Sequence, residues 1–117
     1  RHAGARQNLG RTLLGLGRLA DAIEVYAERL RLEPDSADAH YQLGGALGRA
    51  GRIDEALPHF VRALELKPGA VSYLNYARFL SEAGRPTDAI AALEAALRLR
   101  PDFPEATSEL ARLRAGR

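Results

Sequence analysis

The sequence predicts an all-α fold of stacked antiparallel helix pairs, with about seven helices in 117 residues. Three observations predict it. The first is an internal repeat. Gly17-Arg18-Leu19-Ala20-Asp21-Ala22-Ile23 is echoed by Gly51-Arg52-Ile53-Asp54-Glu55-Ala56-Leu57 and by Gly84-Arg85-Pro86-Thr87-Asp88-Ala89-Ile90. Ala22, Ala56 and Ala89 set periods of 34 and 33 residues, the signature of a repeat array. The second is the stop that ends each copy, at Pro34, Pro68 and Pro101. The third is helical periodicity in the apolar residues between these signals.

The second repeat shows the logic of one unit. Its first helix should run from about Ala37 to Ala50, with Leu43, Gly44 and Leu47 forming one stripe. Gly51 follows as a left-handed C-cap, a conformation that costs glycine nothing. Asp54 is placed to cap the next helix. That helix should reach about Lys67, with Ala56, Leu57, Phe60, Ala63, Leu64 and Leu66 facing inward, until Pro68 turns the chain. Pro58 falls early enough in it to cause a slight kink at most.

Small residues recur where two backbones approach. Gly10, Gly44 and Ala77 hold one slot; Ala22, Ala56 and Ala89 hold another. Leu9, Leu43 and Tyr76, with Tyr26, Phe60 and Leu93, supply the large residues between them. The third unit is one residue short, between Pro68 and Tyr73, and Gly69 should accommodate the tighter loop. After Pro101 a further helix should begin at Pro104. Leu110 and Ala111 repeat the Leu-Gly slot, but Arg114 falls where a large apolar residue is expected. That change reads as a solvating cap; the alternative is the first half of a fourth repeat.

Composition narrows the function. The hydrophobic share of 46% can fill a core, and no apolar run is long enough to span a bilayer. There is no Cys, hence no disulfide or thiolate nucleophile. The net charge is +2, and sixteen of the seventeen basic residues are Arg. These are spread along the chain among fifteen acids instead of clustered on one face, so nucleic acid is not the expected partner. The chain starts at Arg1 and reads as a segment of a longer protein, with the cytoplasm as the default expectation for its location. His2, His40 and His59 lack metal-ligand spacing, and His59 should lie solvated on an outer helix face. No phosphate-cradling loop or nucleophile turn is present, so no catalytic residue, metal or cofactor is expected.

The set Leu43, Gly44, Leu47, Gly51, Ala56, Phe60, Ala63 and Pro68 resembles the tetratricopeptide repeat family, and matching residues recur over nearly the whole chain. The departures are Arg6, His40 and Tyr73 in a slot that usually holds Trp, and Arg29 in a slot held later by Ala63 and Ala96. The resemblance implies a right-handed α-α superhelix, the tetratricopeptide solenoid, as one domain over 1–117. The repeats would cover about 3–36, 37–69 and 70–102, with a capping helix over about 104–115. It also implies a non-catalytic protein-interaction module. The first helices of each pair would line a concave groove for a peptide or partner protein, through Gln7, Asn8, Arg11, Tyr41, Gln42, Gly45, Arg49, Leu74, Asn75, Arg78 and Glu82.

Within that set, Asn8, Gln42 and Asn75 recur in register. They read either as a ladder of amides for a ligand backbone or as local helix packing. Arg11, Arg78 and Arg49 would favour an acidic ligand, or else are solvated. Tyr41, with space left by Gly45 and Gly48, reads as a binding anchor or as plain variation, whereas Tyr73 and Phe79 should pack between repeats. Some co-chaperone members of the family grip a C-terminal carboxylate with two Lys, two Asn and one Arg. The matching Gln7, Arg11, Gln42, Val71 and Asn75 do not carry the expected types, so that clamp is not expected. Two alternatives stand beside the interaction module. One is a substrate-recruiting segment of a larger enzyme such as a glycosyltransferase. The other is a scaffold that self-associates through its uncapped N-terminal end.

Overall fold

The structure is a computed structural model and describes residues 18–116. These residues form six helices and no strand: α1 (Leu19–Leu32), α2 (Ala37–Arg49), α3 (Ile53–Leu66), α4 (Ala70–Glu82), α5 (Pro86–Leu99) and α6 (Pro104–Ala115). The remaining helix of the expected seven, with Leu9 and Gly10, falls outside the described residues. The chain divides into two compact units, residues 1–67 and 68–117.

In the first unit, α2 starts on a side-chain cap. Ser36 Oγ accepts the amide of Ala39 at 3.1 Å, satisfying a donor that the first turn leaves open. The helix ends in a Schellman motif. Gly51 adopts φ +81°, its amide bonds the Gly48 carbonyl at 3.0 Å, and the Arg52 amide bonds the Leu47 carbonyl at 2.9 Å. The second unit repeats this at the end of α4. There Gly84 has φ +79°, and the Arg85 amide bonds the Leu80 carbonyl at 2.8 Å. These two glycines are therefore the hinge of each helix pair, as the repeated phrase implies.

The acid of the phrase does something other than cap. The N-cap of α3 is Arg52, with no side-chain cap bond, and Asp54 already lies inside the first turn. The helix begins directly after the Gly-Arg turn, so the amides that Asp54 was expected to satisfy lie in its own turn. The partner of the turn is Glu55, which accepts from Arg52 at 2.7 and 2.9 Å. That hydrogen bond, more than the Arg52 charge, holds the Glu55 carboxyl below its ordinary value. Arg18 and Asp21 form the same i, i+3 pair at 2.5 Å. Both bridges are exposed and contribute little to stability; they mark the helix start.

Packing within the first unit turns on Gly44. It is buried, and a Cβ built there would lie 3.2 Å from the Phe60 ring and 3.3 Å from the Ala56 carbonyl oxygen. Glycine is thus the residue that lets α2 and α3 close with an aromatic between them. Ala56 and Phe60 are buried as expected, and so is Ala63; Leu57, Leu64 and Leu66 are half-buried. Pro58 leaves α3 continuous from Ile53 to Leu66, since its missing donor would have reached only the first turn.

In the second unit the equivalent crossing uses Ala77 and Leu93, both buried, so a slightly larger small residue faces a smaller large one. The missing residue of the third repeat falls in the connection 67–69, where 33–36 and 100–103 are one residue longer. Glycine is not what allows it. Gly69 sits at φ −172°, extended backbone open to any residue, and its added Cβ would make only an ordinary 3.8 Å contact with Ser72. Further along, Phe103 is buried as the N-cap of α6, with the Arg100 guanidinium 4.4 Å above its ring. Arg114 stays exposed and reaches back to Glu94 of α5 at 2.6 Å. The corresponding Leu47 and Leu80 are buried.

Candidate functional site

Within the described residues, the expected binding residues fall into two stripes. Tyr41, Gln42, Gly45 and Arg49 lie on α2, and Leu74, Asn75, Arg78 and Glu82 lie on α4. Spacings near one turn put each set on one side of its helix. Gln7, Asn8 and Arg11 lie outside the described residues, as does the N-terminal end expected to self-associate.

On α2 the stripe is open. Tyr41 is exposed, and its ring meets Phe60 edge-on at 5.5 Å between centroids. Beside it, a Cβ on Gly45 would meet no atom within 4 Å. Arg49 is exposed at the end of the helix. Gln42 is engaged. Its Oε1 accepts from Arg29 Nη1 at 2.7 Å. A guanidinium only donates, so the amide oxygen faces Arg29 and the amide NH2 is left for another acceptor. Arg29 is 7% exposed, lies 3.6 Å from the Glu33 carboxylate, and keeps its Nε buried with no partner among the described residues. Sequence reasoning noted Arg29 as a misfit among alanines. The missed signal was its pairing with the amide slot of the following helix.

On α4, Arg78 and Glu82 are exposed, and Asn75 is half-buried. No hydrogen bond among the described residues engages the Asn75 amide. Leu74 is 5% exposed and belongs to the core, so it cannot line a surface; its place beside Asn75 had concealed that α4 turns this position inward. Tyr73 and Phe79 are half-buried. The second unit adds residues that the sequence reading did not single out. Glu109 on α6 shares the register of Gln42 and Asn75, and Arg112 that of Gly45 and Arg78. Arg112 Nη2 donates to Glu109 at 2.5 Å. That bond holds the Glu109 carboxyl below its ordinary value against some desolvation, and the charges of Arg112 and Arg78 act in the same direction.

His59 is not simply solvated. Its Nδ1 lies 3.1 Å from Nδ1 of His40. Among the described residues no cluster of three or more His, Cys, Asp or Glu is placed to hold a metal. None of their helices is long and apolar enough to cross a membrane.

Paired helices, Gly-capped turns and exposed first-helix stripes define a helical-repeat protein. The family follows from sequence. Two tetratricopeptide repeat profiles match residues 8–71 and 70–113, and the chain belongs to that family. No curated protein matches it in sequence. Among solved structures it is similar to MamA, with 27% identity, a TM-score of 0.82 and 98% of this chain covered. It covers 68% of that MamA chain and 63% of the chain in a second MamA structure. It is also similar to pilF of Pseudomonas aeruginosa, at 26% identity and TM-score 0.81, over 97% of this chain and 53% of pilF. The first tetratricopeptide domain of Spaghetti (RPAP3), solved with the HSP90 peptide SRMEEVD, shares the fold. Its TM-score is 0.81 at 20% identity, over 97% of this chain and 91% of that one.

Proposed function

We propose that this chain is a protein-interaction module, with the open face of α2 as a peptide-binding surface of the first unit and the exposed residues of α4 as a candidate surface of the second. The observation that carries this reading is Tyr41. An exposed aromatic ring is braced edge-on by Phe60, and the neighbouring Gly45 leaves room for a ligand. Rigid, partly exposed aromatics are frequent anchors of binding energy. The RPAP3 domain, which has the same fold, was solved bound to the peptide SRMEEVD, a precedent for peptide binding by this fold.

Acceptor groups on the ligand suit the polar residues present. Arg49 and Arg78 are exposed cations. Gln42, with its oxygen taken by Arg29, offers only N–H donors. Backbone carbonyls or carboxylates of the ligand would meet these groups, while Asn75 can both donate and accept.

The test is a peptide selected from a displayed library and titrated by calorimetry. Tyr41→Ala should weaken it at least about tenfold, equal to about 1.4 kcal/mol, with little change in the melting temperature. Asn75→Ala combined with Arg78→Ala tests the α4 surface of the second unit in the same way, whereas Val61→Ala on the exposed side of α3 should leave peptide affinity unchanged. Parent-like affinity for Tyr41→Ala would remove the basis of this reading.

A further inference from the structure

We propose that His40 and His59 form a proton-operated latch between α2 and α3. It holds while the pair carries at most one positive charge and opens when both rings are protonated.

The proton positions follow from the neighbours. His40 Nε2 lies 3.0 Å from the Pro34 carbonyl oxygen, which can only accept, so this nitrogen carries hydrogen. In the neutral ring Nδ1 of His40 is then an acceptor. It faces Nδ1 of His59 at 3.1 Å, with ring centroids 5.3 Å apart. The two nitrogens thus lie close to the line between the rings, an end-on N–H···N contact with one hydrogen between them. The neutral pair needs His59 in its Nδ1–H tautomer. One added proton is tolerated, because His40 can become the donor and His59 the acceptor. A second added proton sets two N–H groups and two cations against each other.

Among the described residues, carboxylates flanking the pair in sequence are already matched by guanidinium groups. Glu33 is paired with Arg29 at 3.6 Å, Asp35 with Arg62 at 3.6 Å, and Glu55 with Arg52 at 2.7 Å. Arg62 lies about one turn beyond His59 on α3 and adds positive charge. Asp38 sits two positions before His40 on α2, a spacing that turns it away. Burial, and secondarily the His40 charge, lowers the His59 pKa from its ordinary 6.5. The latch joins three segments, namely the α1–α2 corner at Pro34, α2 and α3, so its opening frees all three. The second unit has no counterpart: its equivalent positions are Tyr73 and Ala92.

The pH direction follows by linkage. The unfolded chain protonates His59 near 6.5, and the folded chain only at lower pH. Between those values the unfolded state binds more protons, so the latch's contribution is complete above about 6.5 and is lost as pH falls. Long-range proton–nitrogen NMR on the whole chain at pH 7.5 should show His59 as the Nδ1–H tautomer and His40 as Nε2–H. Thermal melts from pH 7.5 to 5.5 should lower the melting temperature by roughly 4 °C more in the parent than in His59→Gln, which keeps a donor that does not titrate. An Nε2–H tautomer at His59 in the parent would overturn the proposal without any variant. So would equal pH dependence in parent and variant.

Discussion

The two units use the same turns and differ in what fills the slots between helices. In the second, Ala77, Leu93, Ala92 and Ala96 give a plain apolar filling. In the first, Gly44 faces Phe60, His40 meets His59, and buried Arg29 holds Gln42. The turns explain why this variation is tolerated. Gly51 and Gly84 adopt nearly the same φ and the same pair of carbonyl bonds, so the backbone is set locally before the slots are filled. The helix crossing then accepts either Gly with Phe or Ala with Leu, provided the summed volume is kept.

The sharpest way to break this comparison is Gly44→Leu. Its side chain would drive into the Phe60 ring, with a loss of about 1–3 kcal/mol in urea denaturation. The milder pair tests the volume argument itself. Gly44→Ala should destabilise alone, and adding Phe60→Leu, which recreates the second unit's combination, should recover part of that loss. Strict additivity in that cycle would show that the two positions do not share the space.

Gln42→Ala should cost about 1–2 kcal/mol, because it strips a buried guanidinium of its acceptor. Asn75→Ala, with no such partner, should stay within about 0.5 kcal/mol. Equal losses would erase the difference drawn between the two amides. Gly51→Ala and Gly84→Ala should each cost about 1 kcal/mol, and alike, since each forces a Cβ into left-handed backbone. Smallest and opposite in sign, Gly45→Ala should stabilise by about 0.5–1 kcal/mol, because the space beside it is open and alanine favours helix.

Local chemistry made much of the fold legible in the sequence. The Gly turns, the Pro stops and the spacing of Ala22, Ala56 and Ala89 are signals between near neighbours, and α2, α3 and the start of α6 fall where they predict. Details that depend on which residue begins a helix were less visible. The N-cap role given to Asp54 belongs to Arg52, because the turn ends one residue after the glycine. At the candidate site, period alone placed the stripes on α2 and α4 but could not tell that Leu74 turns into the core. The Arg29–Gln42 and His40–His59 contacts join residues 13 and 19 positions apart on different helices. They arise from packing, and only the misfit of Arg29 and His40 within their repeat slots hinted at them.

The central functional claim is that the first-helix faces hold the ligand. Amide NMR shifts recorded while a library-selected peptide is titrated into the labelled chain test it most directly. The account predicts the largest shifts at Tyr41, Gly45 and Arg49 on α2 and at Asn75 and Arg78 on α4. Shifts confined to the exposed sides of α3 and α5, with α2 and α4 unmoved, would contradict it.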